Sequence, residues 1–478
     1  MVRLANEKVK IMAKSAVLTR WEPENPVFWQ EQGQSVAKRN LAISIPCLTL
    51  GFVISVLWSV VALNLNSAGF NFSKEQLFML TALPQLSGAT LRIFYSFMPA
   101  RFGGRKWTAI STAVLLIPAL WLGFAVQDPT TSYTELLMIA LLCGLGSGNF
   151  ASSMANIGYF FPTAKKGSAN GLNAGFGNLG VSLAQLLIPL AITLPLFGAF
   201  GGEAQSYLKA GAAQSLWLQN AGFMWVPLIA IAAVAAWFGM NDIADARSSF
   251  AQQAVIFRRK HNWLMCWLYI GTFGSFIGFA GAFALLTKSL FPDVAVMKYA
   301  FLGPLIGALI RPVGGIISDK IGGAKVTLGV FIGMACAVLG VLAFLPELGV
   351  DGQLSGGSWP GFFAMFLLLF TFAGLGNGST YKMIPTIFAT LRMREATGSD
   401  EAALKAARLG GMQESAAAAG FISAIGAYGG FFIPQSFGLS MQASGGPELA
   451  LYAFIAFYVS CVWMTWRYYA SPKAELPC

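Results

Sequence analysis

Three basic side chains stand alone inside long apolar stretches of the sequence: Arg92, Arg311 and Lys382. The other lysines and arginines fall in predicted loops, termini or helix ends. A guanidinium stays charged at every relevant pH and offers paired, planar N–H donors that fit a planar oxyanion. Two such arginines without an acidic partner predict a binding site for a small anion. The acids considered as partners fall at predicted helix ends, namely Glu75, Glu135, Asp319 and Glu414.

Both arginines are predicted to lie deep within their helices. Arg92 precedes the loop residue Arg101 by nine residues, roughly 14 Å of helix and about half of the hydrocarbon thickness. Arg311 precedes Lys320 by the same interval. An arginine at that depth is costly unless it faces a wet cavity or a counter-ion, so the substrate is the expected counter-ion. The alternative is that each arginine only joins helices by binding backbone carbonyls.

Lys382 has two interpretations. It lies beside Tyr381 and shortly before Pro385 on a predicted helix. Its long side chain could snorkel toward the membrane surface, as lysines near helix ends do. It could instead take part in the entry of the anion.

The composition predicts that the elements carrying these residues are transmembrane helices. Of the 478 residues, 56% are hydrophobic and only 11% are charged, whereas about a quarter are charged in soluble proteins. Runs of roughly 20 apolar residues are long enough to span a bilayer. We therefore expect an all-α membrane protein with twelve helices, near 41–65, 76–98, 107–126, 135–160, 168–197, 221–240, 263–287, 297–318, 325–346, 361–389, 412–436 and 448–468.

The distribution of basic residues predicts the topology. If the N-terminus is cytoplasmic, the outer loops hold only Lys74, Lys209, Lys288 and Lys298, and most lysines and arginines lie in inner loops, as the positive-inside rule requires. This pattern accounts for the net charge of +11 without a nucleic-acid partner. We expect a multi-pass protein of the bacterial inner membrane, embedded in the lipid bilayer, with both termini cytoplasmic and no signal peptide.

The two halves of the sequence repeat each other. Arg92 is followed by Arg101, Gly103, Gly104 and Lys106, and Arg311 by Lys320, Gly322, Gly323 and Lys325, at identical spacing. Downstream, Gly144 to Asn149 corresponds to Gly374 to Ser379. A parallel repeat of two six-helix bundles is the major facilitator arrangement, with the substrate held between the halves near the bilayer midplane.

This repeat divides the chain into five predicted parts. Residues 1–40 form an N-terminal lead-in and 41–240 the first bundle. Residues 241–262 form a cytoplasmic linker, 263–468 the second bundle and 469–478 a cytoplasmic tail. The loop after each arginine helix resembles the superfamily signature, although Ala100 stands where the second half has Asp319.

Two glycine-rich stretches carry a more specific resemblance. One runs from Gly171 to Gly180 and the other from Gly420 to Gly430, and small residues of this kind let helices pack closely. With the lead-in Trp21 to Pro26 and the stretches Asn149 to Met154 and Thr272 to Phe279, they resemble the nitrate/nitrite porter family of the major facilitator superfamily, in its bacterial NarK-type branch. The resemblance covers nearly the whole chain.

The resemblance implies roles for individual residues. Arg92 and Arg311 would bind the anion from opposite halves, and Phe150 and Phe273 would pack against its flat faces. Neutral hydrogen bonds would come from Tyr269, Asn178 and Ser423. The glycines Gly171, Gly175, Gly420 and Gly426 of the two signatures would complete the substrate site. No role is carried over to Lys382.

Nitrate/nitrite antiport by alternating access is the predicted function. Two facing arginines repel each other when no anion lies between them, which disfavours reorientation of the empty carrier, and no titratable group is predicted in the pathway. Proton-coupled nitrate symport and exchange of phosphate or an organic phosphate are the alternatives. An enzyme would need a nucleophile, an acid/base pair or a metal cluster, and a sensor would usually need a soluble output domain. We expect neither, and we expect a monomer without cofactor or metal.

Overall fold

Twelve long apolar helices make up most of a computed structural model that describes residues 16–209, 212–244, 254–348, 354–396 and 401–478. By length and composition each helix is able to cross a membrane. The predicted all-α class and the number of helices are therefore confirmed. The helices are α1 Pro26–Asn64, α2 Lys74–Tyr95, α3 Gly104–Ala125, α4 Tyr133–Phe160, α5 Lys165–Ala191, α6 Asn220–Gly239, α7 Lys260–Leu290, α8 Val296–Ile321, α9 Gly323–Ala343, α10 Trp359–Glu395, α11 Ala406–Ser444 and α12 Glu448–Ala470.

Several helices extend beyond the apolar runs that predicted them. The first begins at Pro26 rather than near 41, and α10 ends at Glu395 rather than near 389. The eleventh is helical from Glu401, eleven residues before the predicted start at 412, and its regular path is interrupted at Tyr428. Hydropathy marks where a helix is apolar, whereas these helices continue as polar or amphipathic turns beyond that stretch.

Side-chain caps begin several of the helices. Ser73 Oγ accepts the Gln76 backbone N–H while the Gln76 side chain accepts the Ser73 N–H, which forms a capping box at the start of α2. Ser132 Oγ accepts the backbone N–H of Glu135 at the start of α4. These bonds satisfy donors that a helix leaves free at its N-terminus.

The two halves, α1–α6 and α7–α12, repeat a close glycine contact beside each arginine. In the first half, a Cβ atom added to Gly144 of α4 would lie only 2.7 Å from the backbone nitrogen of Gly88 on α2, so a larger residue would not fit between these helices. In the second half, a Cβ on Gly374 of α10 would overlap the carbonyl oxygen of Gly307 on α8. Gly88 and Gly307 each precede their arginine by one helical turn, so the sequence repeat corresponds to a structural repeat.

An even number of spans puts the first and last described residues on one face of the bundle, here called the terminal face. Val17 pairs with Asp242 beyond the end of α6, and Glu475 binds Lys260 at the start of α7. The other side is called the opposite face. Short strands occur on both sides, namely β1 Val17–Leu18 paired with β4 Asp242–Ile243, β2 Gln205–Lys209 paired with β3 Ala212–Leu216, and β5 Glu347–Leu348 paired with β6 Leu354–Ser355.

The outward surface of the bundle is apolar. Ile231 and Phe238 on α6 and Leu309 on α8 are among the large hydrophobic side chains that are more than half exposed. In water such a surface would drive aggregation, whereas in a bilayer it contacts lipid tails. The chain is therefore a multi-pass membrane protein whose polar residues turn inward.

Candidate functional site

Arg92 lies in the last turn of α2, and its side chain is completely buried. Its Nε donates to the carbonyl oxygen of Ser147 at 3.0 Å, and its Nη1 donates to the carbonyl oxygen of Ser423 at 3.0 Å. Ser147 belongs to α4 and Ser423 to α11, so a single guanidinium joins the two halves. The third nitrogen, Nη2, is buried without a protein partner. The alternative of carbonyl binding is thus realised for two nitrogens, and one donor is left for a ligand.

Arg311 lies in the middle of α8 and is 8% exposed. Its Nη2 approaches Tyr269 Oη at 3.5 Å, which is long for a hydrogen bond, and its Nη1 is buried without a protein partner. Among the described residues, no carboxylate forms an ion pair with either arginine. Arg311 therefore has more uncommitted donors than Arg92.

A continuous column of four aromatic rings connects the two arginines. Successive ring centroids lie 6.2, 5.6 and 6.3 Å apart, and the first two pairs are stacked. The Arg92 Cζ lies 4.9 and 5.0 Å from the first two rings, and the Arg311 Cζ lies 5.7 Å from the last. The aromatic faces stabilise both cations. In order, this aromatic column consists of Phe150, Phe273, Tyr269 and Tyr381.

The backbone of α7 is irregular where it carries two of these rings. Residues Ile270–Gly274 form a π-helical turn between Tyr269 and Ser275. Single π turns inside α-helices occur frequently at functional sites. The turn includes Phe273, whose ring plane differs by 19° from that of Tyr269 at the start of the turn.

The predicted neutral ligands lie in two different environments. Asn178 is buried on α5, and both its Oδ1 and its Nδ2 lack a protein partner. The Ser423 hydroxyl is already engaged, because Oγ donates to the carbonyl oxygen of Gly420 at 2.8 Å. Ser423 instead meets the site through its own carbonyl oxygen, which accepts from Arg92. A free buried amide is costly, so Asn178 is the neutral residue that most needs a partner.

The predicted site glycines also divide into two groups. A Cβ added to Gly171, Gly175 or Gly420 would meet no atom within 4 Å outside its own helix backbone, so these positions border open space on the terminal-face side of α5 and α11. Gly426 differs, because a Cβ there would press on the Tyr269 ring. Gly426 therefore permits the close approach of α11 to the aromatic column.

Two expectations about charged groups are wrong. Lys382 has an acidic partner, because its Nζ lies 2.8 Å from Asp319 Oδ1 and both side chains are about half exposed. Glu414 does not lie at a helix end, because its helix begins at Glu401, and it is 4% exposed. Its Oε1 accepts from Arg259 at 3.2 Å and from Arg392. Both acids contact basic groups near the terminal face.

His261 precedes the predicted apolar run 263–287, but the structure places it in the first turn of α7, where it is buried. Its Nδ1 is 3.0 Å from Tyr469 Oη, and its Nε2 is 3.1 Å from Glu475 Oε1. The neighbouring ammonium of Lys260 donates to the same carboxylate, and this bond is the main reason that the pKa of Glu475 is below its usual value. The histidine therefore belongs to a terminal-face cluster.

Sequence reasoning missed two aromatic residues of the site. The ring of Phe52 on α1 lies 6.0 Å from the Arg92 Cζ, and Tyr381 lies beside Arg311. Tyr381 could have been found as a polar aromatic residue within an apolar helix. Phe52 gives no such signal, since it is one hydrophobic residue among many in α1.

The arrangement can hold a small flat anion. It supplies two cations that no described carboxylate pairs with, and each has at least one buried guanidinium nitrogen without a protein partner. Both guanidiniums are buried beside aromatic rings, and surroundings of low dielectric constant strengthen the attraction of a cation for negative charge. Fixed donors beside aromatic rings are suited to binding a small anion.

Comparison with known proteins identifies the family. The Major Facilitator Superfamily model matches residues 47–434. The chain is 52% identical over 460 residues to the nitrate/nitrite transporter NarU of Escherichia coli (strain K12), with 96% of this chain and 97% of the relative covered. It is 40% identical over 473 residues to the probable nitrate/nitrite antiporter NarK2 of Thermus thermophilus, with 98% and 99% covered.

A solved structure gives the same fold. A bacterial homologue of the human lysosomal transporter Spinster, in an inward-facing and unoccupied conformation, matches with a TM-score of 0.57 at 16% identity, covering 90% of this chain and 94% of that chain. Likeness at this identity supports the fold alone. The relatives are transporters by name, which confirms the expectation of a transporter rather than an enzyme. The chain belongs to the nitrate/nitrite porter family of the major facilitator superfamily.

Proposed function

We propose that this chain carries nitrate and nitrite across the bacterial inner membrane and binds one anion at a time between Arg92 and Arg311. The observation that carries the proposal is the pairing of two guanidiniums from opposite halves, each with a free N–H donor, across one aromatic column. The names of the two relatives, a nitrate/nitrite transporter and a probable nitrate/nitrite antiporter, support the choice of anion.

The bound anion would be held near the bilayer midplane by complementary groups. Arg92 Nη2 and Arg311 Nη1 would each donate to an oxygen, since neither has a protein partner. The Asn178 amide, also unpartnered, would add a neutral donor. The flat faces of nitrate suit the rings of Phe150 and Phe273. A divalent phosphate suits this lining less well, because it is strongly hydrated and its four oxygens do not lie in one plane.

Alternating access is supported by where the halves touch. On the opposite-face side, Phe78 of α2 meets Phe437 of α11 with ring centroids 6.4 Å apart, and Asn64 Nδ2 lies 3.6 Å from Met297 Sδ. On the terminal-face side, Gly175 and Gly420 border open space. We infer that this conformation opens toward the terminal face, which the positive-inside rule assigns to the cytoplasm. Rocking of the halves would then expose the site to the opposite face.

Antiport is the mode that the charges favour. Two buried like charges would resist closure of an empty site, so each half-cycle would need an anion. A proton-coupled carrier normally has a titratable group in its pathway. Glu414 is a buried carboxylate, but Arg259 and Arg392 both donate to it, so its partners are these two cations and not the arginines of the proposed site.

Transport by purified protein in liposomes tests the proposal. Vesicles loaded with nitrite should take up nitrate, whereas empty vesicles should not, with or without a pH gradient. Nitrate uptake into empty vesicles driven by a proton gradient would replace antiport by symport. Efficient exchange of phosphate, with nitrate excluded, would overturn the substrate.

A further inference from the structure

Two hydrogen bonds on the opposite-face side of the site run from α5 to the second half. Ser182 Oγ donates to the carbonyl oxygen of Phe301 at 3.1 Å, and Gln185 Nε2 donates to the carbonyl oxygen of Ala280 at 2.6 Å. Ser182 and Gln185 are three residues apart and therefore lie on one face of α5. Asn178 lies on the same helix toward the terminal face, so α5 carries both a site residue and these inter-half bonds.

Gln185 makes the more demanding of the two contacts. It is 1% exposed, and its Nε2 donates both to Ala280 and to Ser59 Oγ, the latter at 3.1 Å. Its Oε1 is buried without a protein partner. A buried amide oxygen without a donor costs free energy, so packing alone does not explain a glutamine at this position.

A second glutamine repeats this arrangement nearby. Gln85 is 2% exposed, its Nε2 donates to the carbonyl oxygen of Ser55 at 3.0 Å, and its Oε1 also lacks a protein partner. Each glutamine lies about two helical turns from a site residue, Gln85 from Arg92 and Gln185 from Asn178, in both cases toward the opposite face.

Both glutamines meet the same face of α1. Phe52, Ser55 and Ser59 are spaced by three and four residues and so form one stripe along that helix. Phe52 borders Arg92, and the two serines extend from it toward the opposite face. The polar seam, as we call it, consists of Ser55, Ser59, Gln85 and Gln185.

We propose that Gln185 is the latch of the closed opposite face, and that parting its bond to Ala280 opens the polar seam as the route between the site and that face. Once released, Gln185 Nε2 offers an N–H donor to the passing anion, and water reaches the two unpartnered amide oxygens. The identity of the anion rests on the proposed function. A purely structural Gln185 would affect stability without changing which face is accessible.

The test measures access to the seam from the opposite face. Ser55→Cys is introduced into full-length protein whose six native cysteines are replaced, and a membrane-impermeant maleimide is added to vesicles of defined orientation. Gln185→Leu and Gln185→Met remove the donor but keep the side chain's bulk. We expect labelling of Ser55→Cys from the opposite face to become about fivefold faster in these variants. This factor is the increase in the population open to that face that follows from the loss of a hydrogen bond of ~1 kcal/mol.

Gln219→Leu is the matched control. Gln219 is also buried in the first half, but it donates to the carbonyl oxygens of Gly201 and Glu203 within that half. Its loss should lower stability without altering labelling. Unchanged labelling in folded Gln185 variants overturns the latch, and so does a failure of those variants to fold while Gln219→Leu folds. The labelling needs no substrate, so nitrate exchange by the unsubstituted protein tests the proposed function separately.

Discussion

Arg92 and Arg311 occupy matching positions in the repeat but have unequal roles in the fold. Arg92 uses two nitrogens to hold the carbonyl oxygens of Ser147 and Ser423, whereas the polar contact of Arg311 is a long one, to Tyr269 Oη at 3.5 Å. Hydrogen bonds to a charged group contribute roughly 1.5–3 kcal/mol each. Arg92 should therefore contribute to stability and to anion binding, and Arg311 mainly to anion binding.

Lysine substitutions should separate the two roles. Arg92→Lys removes the fork that reaches two carbonyls, so we expect a lower Tm together with a loss of nitrate exchange. Arg311→Lys keeps the charge and removes few contacts that stabilise the fold, so we expect an unchanged Tm. Nitrate exchange should be at least tenfold slower, which corresponds to a loss of ~1.4 kcal/mol in anion binding. Thermal melts in detergent and nitrite-loaded liposomes provide the two readouts.

Arg467→Lys is a suitable control for both substitutions, because Arg467 is exposed near the end of α12, where its Cζ lies 5.6 Å from the Tyr468 ring. It should leave melting and exchange unchanged. Full exchange by Arg311→Lys would contradict the paired-guanidinium site. An unchanged Tm for Arg92→Lys would contradict its role in joining the halves.

The Tyr269 hydroxyl can be tested apart from its ring. Tyr269→Phe retains the stack on Phe273, whose centroid lies 5.6 Å away, but removes the oxygen near Arg311 Nη2. We expect the KM for nitrate to rise about fivefold, the equivalent of one hydrogen bond of ~1 kcal/mol, with an unchanged Tm. Tyr452→Phe, at an exposed tyrosine of α12, should leave KM unchanged. An unaltered KM in Tyr269→Phe would remove the hydroxyl from the site.

At the scale of elements, the features set by hydropathy and spacing were predictable. Twelve apolar runs gave twelve helices, because a span needs a minimum apolar length. The repeated glycines around Gly144 and Gly374 gave matching helix contacts, since only small residues allow that approach. The fold class and both arginines were therefore recognisable from the sequence.

Other features depend on contacts that no local pattern encodes. The π turn Ile270–Gly274 has no hydropathy signature, because it changes the register of the backbone and not its polarity. The two carbonyls that bind Arg92 belong to distant helices, and any residue could supply them. Glu414 was placed at a helix end because the polar turns before it hid the true start of its helix at Glu401.

The glycines of α5 and α11 should respond to alanine in two opposite ways. Gly175 borders open space, so Gly175→Ala should keep or raise the Tm, since alanine favours helix by up to ~1 kcal/mol. If the terminal-face side closes during transport, the same methyl should slow exchange, about tenfold for a penalty of ~1.4 kcal/mol. Gly429→Ala should lower the Tm, because its Cβ would overlap the Gly274 backbone.

Melting curves and exchange rates measured on the same preparations distinguish these outcomes. Gly329→Ala serves as the control, because Gly329 on α9 also has open space around it but lies away from the two glycine-rich stretches. The Gly329→Ala substitution should neither slow nitrate exchange nor lower the Tm. Full-speed exchange by Gly175→Ala would show that the open space beside α5 does not close in the cycle.

Across the whole molecule, the symmetry of the repeat is only approximate. The first arginine helix is broken after Tyr95 and resumes at Met98–Phe102, whereas α8 continues unbroken from Arg311 to Ile321. The second half carries the buried Glu414 between two arginines, an arrangement that the described part of the first half does not repeat. The halves can therefore share an architecture while differing in rigidity at the terminal face.

The Glu414 cluster gives a test of proton coupling that involves the whole carrier. Glu414 ties the start of α7 to α10 and α11 through Arg259 and Arg392, so Glu414→Gln should destabilise the protein by several kcal/mol. Because Arg259 and Arg392 already bind this carboxylate, we expect it to take no part in proton transfer, and exchange by the folded fraction should keep its pH dependence. Glu22→Gln, at an exposed pair with Arg20, is the control. Nitrate uptake is measured in liposomes with and without a pH gradient. If a proton gradient drives uptake by the unsubstituted protein but not by Glu414→Gln, Glu414 is the proton carrier and the protein is a symporter.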